Sequence, residues 1–125
     1  MIPVPADRAV DGGLGERLAE EFLRREKGYR ILRRNCRTRS GEIDLVARDG
    51  DEVVFVEVKT RSGKWDAPED AVNRGKQRRL CRAAQELAAR HKLREYPLRF
   101  DVVAIVLPPG GAPKIEHFVD AFTLA

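Results

Sequence analysis

Cysteine is scarce in this chain: among 125 residues only Cys36 and Cys81 occur, far apart in sequence. They form no Cys-x-x-Cys pair and no zinc-ligand spacing surrounds them, which excludes a zinc module and leaves two free thiols of a reducing cytosol. Long apolar runs are missing too. No stretch could span a membrane, and the N-terminal MIPVPADRAV lacks the basic start and apolar core of a secretory signal. The expected location is cytoplasmic, with no membrane partner. Internal repeats and low-complexity tracts are likewise absent.

What is present fits a globular domain. The hydrophobic fraction is 42% and the charged fraction 35%, with a net charge of +4 and a pI near 9.4. Disorder is therefore not expected, and the length fits one domain over residues 1–125 with residues 1–13 as a loose lead-in. A basic balance is compatible with a nucleic-acid partner without requiring one.

Periodicity places the elements. Leu14, Leu18 and Phe22 recur at four-residue steps, predicting a helix from Leu14 to Lys27 that stops at Gly28. YRILRRN reads as a short strand, followed by the polar connection CRTRSG. A second helix is predicted from about Pro68 to about His91, then a strand LRFDVVAIVL and an edge strand KIEHFVDAF. This order gives a mixed sheet with helices packed on it, an α/β or α+β domain.

The segment GEIDLVARDGDEVVFVEVKTR carries the chemistry. Strand alternation puts Ile43, Leu45 and Ala47 on one face, with Val54, Val56 and Val58 on the partner's matching face, and this face is expected to be core. The other face holds Glu42, Asp44, Val46 and Arg48 beside Val53, Phe55, Glu57 and Lys59. A two-residue type II′ turn at Gly50-Asp51 pairs Asp49 with Glu52. Counting outward, Asp44 lies opposite Glu57, and Glu42 opposite Lys59. Opposed residues have Cβ atoms about 4.5–5.5 Å apart, so the carboxylates of Asp44 and Glu57 repel unless a cation sits between them. An oxygen-bound divalent metal, Mg²⁺ first, is the natural candidate. Strand charges usually face water, and Glu42 with Lys59 alone reads as a surface ion pair. The clustering of Asp44, Glu57 and Lys59 at one end of one face favours a site.

The string GEIDLV…VVFVEVKTR resembles the PD-(D/E)xK nuclease motif, an acid on one strand and Glu-x-Lys on the next. The wider pattern, LGERLAEEFLRREKGYRILRRNCRTRSGEIDL, VEVKTR, AVNRGKQRRLCRAAQEL and RFDVVAI in order, is similar to the YraN family of small bacterial proteins. Ile43 stands where the motif often has proline. The resemblance implies an α/β restriction-endonuclease-like fold, a mixed β-sheet flanked by helices, close in plan to archaeal Holliday-junction resolvases. It implies that Asp44 and Glu57 bind Mg²⁺ (or Mn²⁺) with the backbone carbonyl of Val58, that Lys59 assists catalysis, and that Glu16 on the first helix completes the metal site. Glu16 also reads simply as an acid in a helix first turn.

Other residues are weighed in the same way. Lys76 interrupts the stripe of Val72, Leu80, Ala83, Ala84 and Leu87. Either its amine reaches past the core to water, or it points at the acidic site or a phosphate; a lysine in this helix of the resembled family favours the second. Asp101 could support the site, or pair with a nearby arginine. Arg33, Arg34, Arg37 and Arg39 flank the hairpin entry and Arg61 and Lys64 its exit, a pattern suited to phosphate contacts. Trp65 could stack on an unpaired base. His91 and His117 read as structural or surface residues. The leading expectation is a metal-dependent endonuclease acting on DNA, branched or structured DNA included. The alternatives are a non-catalytic nucleic-acid-binding protein on the same fold and a protein-interaction module using the edge strand. Resolvase-like activity would want a homodimer with two sites, although no dimer interface is legible.

Overall fold

The computed structural model describes residues 13–61 and 73–122. Helix α1 spans Gly13–Arg25, strands β1, β2 and β3 span Arg30–Arg37, Glu42–Asp49 and Glu52–Arg61, helix α2 spans Arg74–Arg90, and β4 and β5 span Leu98–Val106 and Lys114–Phe122. The strands form one five-stranded sheet in the order β1-β2-β3-β4-β5. All neighbours are antiparallel except β3 and β4. That parallel pair needs a long crossover, and α2 lies within it.

The two helices cover opposite faces. Ala19 and Leu23 of α1 pack on Leu45, Ala47, Val54, Val56, Val103 and Ile105. On the other face, Leu80, Ala83, Ala84 and Leu87 of α2 pack on Val46, Val53, Phe55, Phe100 and Val102. Burial from both sides explains why β3 and β4 read as nearly unbroken apolar runs. This is a mixed sheet flanked by helices, an α/β fold consistent with restriction-endonuclease-like architecture. Among the described residues no helix is long and apolar enough to cross a membrane. Cys36 and Cys81 are free and buried.

Local signals set most boundaries. Gly28 has φ +72, and Tyr29 N–H returns to the Leu23 carbonyl at 2.9 Å; this six-residue loop-back closes α1. The helix ends at Arg25, slightly before the expected Lys27. Helix α2 starts at Arg74, later than the expected Pro68, which lies outside the described residues. Asn73 is extended there (φ −76, ψ 173) and its side chain accepts from Lys76 N–H, so it caps the helix. At the hairpin turn Gly50 has φ +61 while Asp51 is not in the left-handed region, as a type II′ turn requires.

One expected facing is corrected. Ile43 is buried, but it packs under α2 with Val46 and Phe55 rather than under α1 with Leu45. The alternation breaks between them, at Asp44. The neighbouring strand breaks at the matching place: Asn35 has φ +49 and stands between the pairs Arg34↔Leu45 and Cys36↔Ile43. Arg34 accordingly reaches Glu20 of α1, whereas Cys36 is buried on the α2 side. Both strands turn over together, because a left-handed residue rotates the direction of the chain, and asparagine tolerates that conformation.

A buried polar network ties β4 to its surroundings on the α1 face. Asp101 is fully buried. It accepts from Tyr29 Oη at 2.9 Å, Arg99 Nε at 3.0 Å and Asp120 N–H at 3.0 Å, and its Oδ2 lies 2.7 Å from His117 Nε2. Arg99 reaches on to Tyr29 Oη, to Asp49 at 2.9 Å and to Glu52 at 2.7 Å. Burial alone would raise the Asp101 pKa; bonds from His117, Arg99 and Asp120 outweigh it and hold the carboxyl down at about 2. The arginine-pairing reading of Asp101 is the one observed.

Helix α1 meets β3 at its first turn, where Gly15 is buried against Thr60. A Cβ at Gly15 would fall inside the van der Waals radius of Thr60 Oγ1 and 3.3 Å from Thr60 Cβ. Gly15→Ala is therefore expected to destabilise by about 1–3 kcal/mol, although alanine is the better helix former by about 1 kcal/mol. Urea titrations check this. In a Thr60→Ala background the cost should shrink; an unchanged cost would mean that the close approach is not its source.

Candidate active site at the parting of two strands

The ladder between β2 and β3 has the expected register from Asp49↔Glu52 to Leu45↔Val56, and there it stops. The next expected pairs, Asp44 opposite Glu57 and Glu42 opposite Lys59, do not form, because β2 turns over at Asp44 and parts from β3. The gap is bridged by a side chain: Asp44 Oδ2 accepts from Val58 N–H at 2.8 Å. A strand residue sends its N–H and C=O to the same side, so the Val58 carbonyl also faces the gap. Glu42 turns instead to its β1 neighbour Arg37, at 3.9 Å, with both side chains exposed. An ion pair of that kind contributes little.

Although the Cα ladder has ended, the charge of Glu57 is still felt at Asp44. Glu57 is 6% exposed, and Lys76 Nζ reaches its Oε2 at 2.6 Å. The lysine that broke the apolar stripe of α2 therefore points into the acidic site. Lys59 lies near it, where the Lys76 ammonium adds to burial in lowering its pKa. Glu16, from the first turn of α1, feels the charges of Glu42 and Glu57. The close approach of Gly15 to Thr60 carries that turn to the end of β3.

These positions share one end of the sheet: the start of β2, the end of β3 and the first turns of both helices. The carboxyl end of a strand in a parallel pair is where α/β sheets place their sites. Both helices bring positive dipole ends towards the acids.

The electrostatics are those of crowded, half-desolvated charge. Burial first, and then the charge of Glu57, push the Asp44 carboxyl up to about 8 against the lowering effect of the Val58 N–H. Burial also raises Glu16, with Glu42 and Glu57 adding to it. Burial and the neighbouring Lys76 ammonium lower Lys59. For Lys76 burial acts downward, but contact with Glu57 wins and the pKa is raised. Among the described residues no three His, Cys, Asp or Glu side chains converge as a metal-binding group. Two carboxylates and a backbone carbonyl suit Mg²⁺ nonetheless, since that ion keeps several waters and takes one or two carboxylates.

The remaining candidates separate. Asp101 lies with Arg99 and His117, on the face opposite Glu57 and Lys59, and it reaches the site only through the strand. Arg34 is held by Glu20 through two bonds of 2.7 and 2.6 Å. Arg37, Arg39 and Arg61 are exposed at the site's end of the sheet, and Arg39 N–H bonds Glu86. Lys64 and Trp65 lie outside the described residues. Asn35 and Gly15 escaped sequence reasoning. An asparagine in a strand was the available signal for the first, since asparagine is depleted in strands and enriched at positive φ; nothing local marks the second.

The folded-state pKa of Asp44 lies above the ordinary 3.8. A group raised in this way contributes its full stability below the unfolded value, and that stability is lost as pH rises through about 8. Divalent-free protein should therefore weaken by up to about 1.4 kcal/mol per pH unit across that window. Asp44→Asn, whose amide imitates the protonated carboxyl, should flatten this slope and be the more stable protein at alkaline pH. Urea melts at about pH 5, 7 and 9 check it; parallel slopes in both proteins would show that Asp44 is not the titrating group.

Comparison with known proteins gives the chain its relatives. A model of "Uncharacterised protein family UPF0102" matches residues 15–105. The chain is 50% identical over 115 residues to a UPF0102 protein of Syntrophus aciditrophicus, covering 91% of this chain and 89% of that one. It is 47% identical over 122 residues to one of Pelobacter propionicus, covering 95% and 86%, and 50% identical over 116 residues to one of Anaeromyxobacter dehalogenans, covering 92% and 85%. With a family model over most of its length and relatives at this identity, the chain belongs to UPF0102, the YraN family that its motifs resemble.

Proposed function

We propose that this protein is a metal-dependent nuclease that hydrolyses phosphodiester bonds in DNA, branched or structured DNA among its substrates. The observation that carries the reading is the meeting of Asp44, Glu57, Lys59 and Lys76 where β2 parts from β3. A buried carboxylate pair costs stability, and two lysines beside it are disposed for an anionic substrate. Neither arrangement serves the fold, whose core is already complete on both faces of the sheet.

In this reading Asp44, Glu57 and the Val58 carbonyl hold Mg²⁺ or Mn²⁺, with Glu16 near enough to act through water. The metal would supply charge neutralisation at the scissile phosphate and a lowered pKa for the attacking water. The chain's own groups do the rest. The Val58 N–H fixes the orientation of the Asp44 carboxylate. Lys59, with its pKa lowered by burial and by Lys76, orients the attacking water or stabilises charge building on the phosphate oxygens. Lys76 neutralises Glu57 in the unliganded protein and can turn to a phosphate when a metal takes its place. A second reading, a non-catalytic nucleic-acid-binding protein, is favoured by the Lys76–Glu57 contact at 2.6 Å if that ion pair is permanent.

A cleavage panel of linear, flapped and four-way DNA with Mg²⁺ or Mn²⁺ tests the reading. Wild type should cut at least one substrate. Asp44→Asn should abolish cutting, and Lys59→Met should slow it by about 10²–10³-fold. Thermal melts give an independent measure. Divalent metal should raise the melting temperature of the wild type by mass action and leave Asp44→Asn unmoved. Binding of DNA without cleavage, together with equal metal response in both proteins, would favour the non-catalytic reading.

A further inference from the structure

The outer flank of α2 carries arginine at every fourth position, Arg74, Arg78 and Arg82. At ~1.5 Å of rise per residue these stand about 6 Å apart in a row about 12 Å long. All three are exposed. No ion pair or side-chain hydrogen bond holds any of them among the described residues. Several arginines elsewhere are committed: Arg34 to Glu20, Arg90 to Glu86, and Arg99 to Asp49, Glu52 and Asp101.

The row lines a groove of about 800 Å³ between α2 and the end of β5, together with Gln77, Gln85, Asp120 and Phe122. Three guanidinium groups against the one carboxylate of Asp120 leave it strongly positive. Self-repulsion of unpaired arginines at consecutive helical turns costs stability, so the pattern calls for an anionic occupant. The groove also has a direction. Arg74 precedes Lys76 by two residues, and Lys76 reaches Glu57. The row therefore starts at the end of the helix that meets the acidic site and leads away along the helix, on a different side from Lys76, since residues two apart do not share a face.

We infer that this groove holds the phosphate backbone of a nucleic-acid strand. The spacing of about 6 Å between turns is on the scale of neighbouring phosphates in one strand, and a guanidinium fork binds phosphate through paired hydrogen bonds. Glutamine side chains at Gln77 and Gln85 add donors of the kind that bind phosphate and sugar. Bases are not read here: Phe122, the aromatic ring in the groove, is already stacked on Phe100 at 4.5 Å. The groove thus binds without sequence preference. Where the strand leads rests on the nuclease reading; that the groove binds it does not.

The test is anisotropy of labelled single- and double-stranded DNA with the full chain, titrated from about 50 to 200 mM salt. The triple variant Arg74→Gln/Arg78→Gln/Arg82→Gln keeps helix propensity, and its melting curve verifies the fold. Its affinity should fall at least about tenfold, equally for unrelated sequences, and the slope of log K against log salt should shrink by about 2–3. The triple lysine variant, which keeps the charge, should retain most of the salt slope and so separate phosphate binding from a packing defect. Wild-type affinity and slope in the triple glutamine variant would overturn the inference, as would equal competition by polyglutamate, which would mark a surface for acidic protein. If the nuclease reading alone fails, wild type cuts nothing while the arginine-dependent binding remains.

Discussion

The hydrogen bond from Val58 N–H to Asp44 Oδ2 governs how the rest of the site is built. A backbone donor at the end of a ladder must find an acceptor, because an unmade bond in a partly buried place costs about 1–3 kcal/mol. Strand β2 cannot supply a carbonyl there, since it has turned over and left. The side chain of Asp44 takes the place of the missing strand. It is thereby fixed in the mouth of the gap, one residue along from Glu57, with the Val58 carbonyl on the same side. The parting of the strands opens space for a ligand, and the bond that heals the break aims the carboxylate into that space.

Charge at the gap is arranged at the expense of stability. Burial and mutual repulsion raise Asp44, and the fold meets this with Lys76 from α2 and the first turns of both helices. None of these is a core contact. Helix α2 buries Leu80, Ala83, Ala84 and Leu87 on one side, sends Lys76 to Glu57 at its first turn, and keeps its arginine row outward. Packing and site thus share one stripe, with Lys76 at its first turn, and the 3.6-residue period keeps the arginine row apart from it. The network around Asp101 contrasts with the site. There the Asp101 carboxylate is answered by Tyr29, Arg99, His117 and the Asp120 N–H, and it sits at about 2. Both clusters are ionic, yet only the one at the gap crowds like charges together.

Much of this was legible in the order of residues. Alternation in GEIDLV and VVFVEV, with glycine at the turn, determined the hairpin, its type II′ turn and its register as far as Leu45↔Val56, because a turn of known length leaves only one way to count outward. The four-residue steps of both helices were equally plain, and so was the anomaly of Lys76 within an apolar stripe. The helix stop at Gly28 rested on local stereochemistry that glycine carries with it, whereas the cap at Asn73 was not read and the start of α2 was expected earlier, at about Pro68.

The tertiary structure alone decided what happens beyond Leu45. Counting assumed that strands stay paired, whereas the left-handed Asn35 in β1 and the face reversal at Asp44 end the pairing where the count would bring Asp44 opposite Glu57. The same reversal sends Ile43 under α2 and Glu42 to Arg37. The approach of Gly15 to Thr60, which brings Glu16 to the site, and the partners of Asp101 join residues distant in sequence, and no local pattern encodes them. Periodicity reports which side of its own strand or helix a residue occupies, because that follows from backbone geometry within a few residues. Which groups then meet across the gap depends on where whole elements pack, and that is settled by the burial of both faces of the sheet at once.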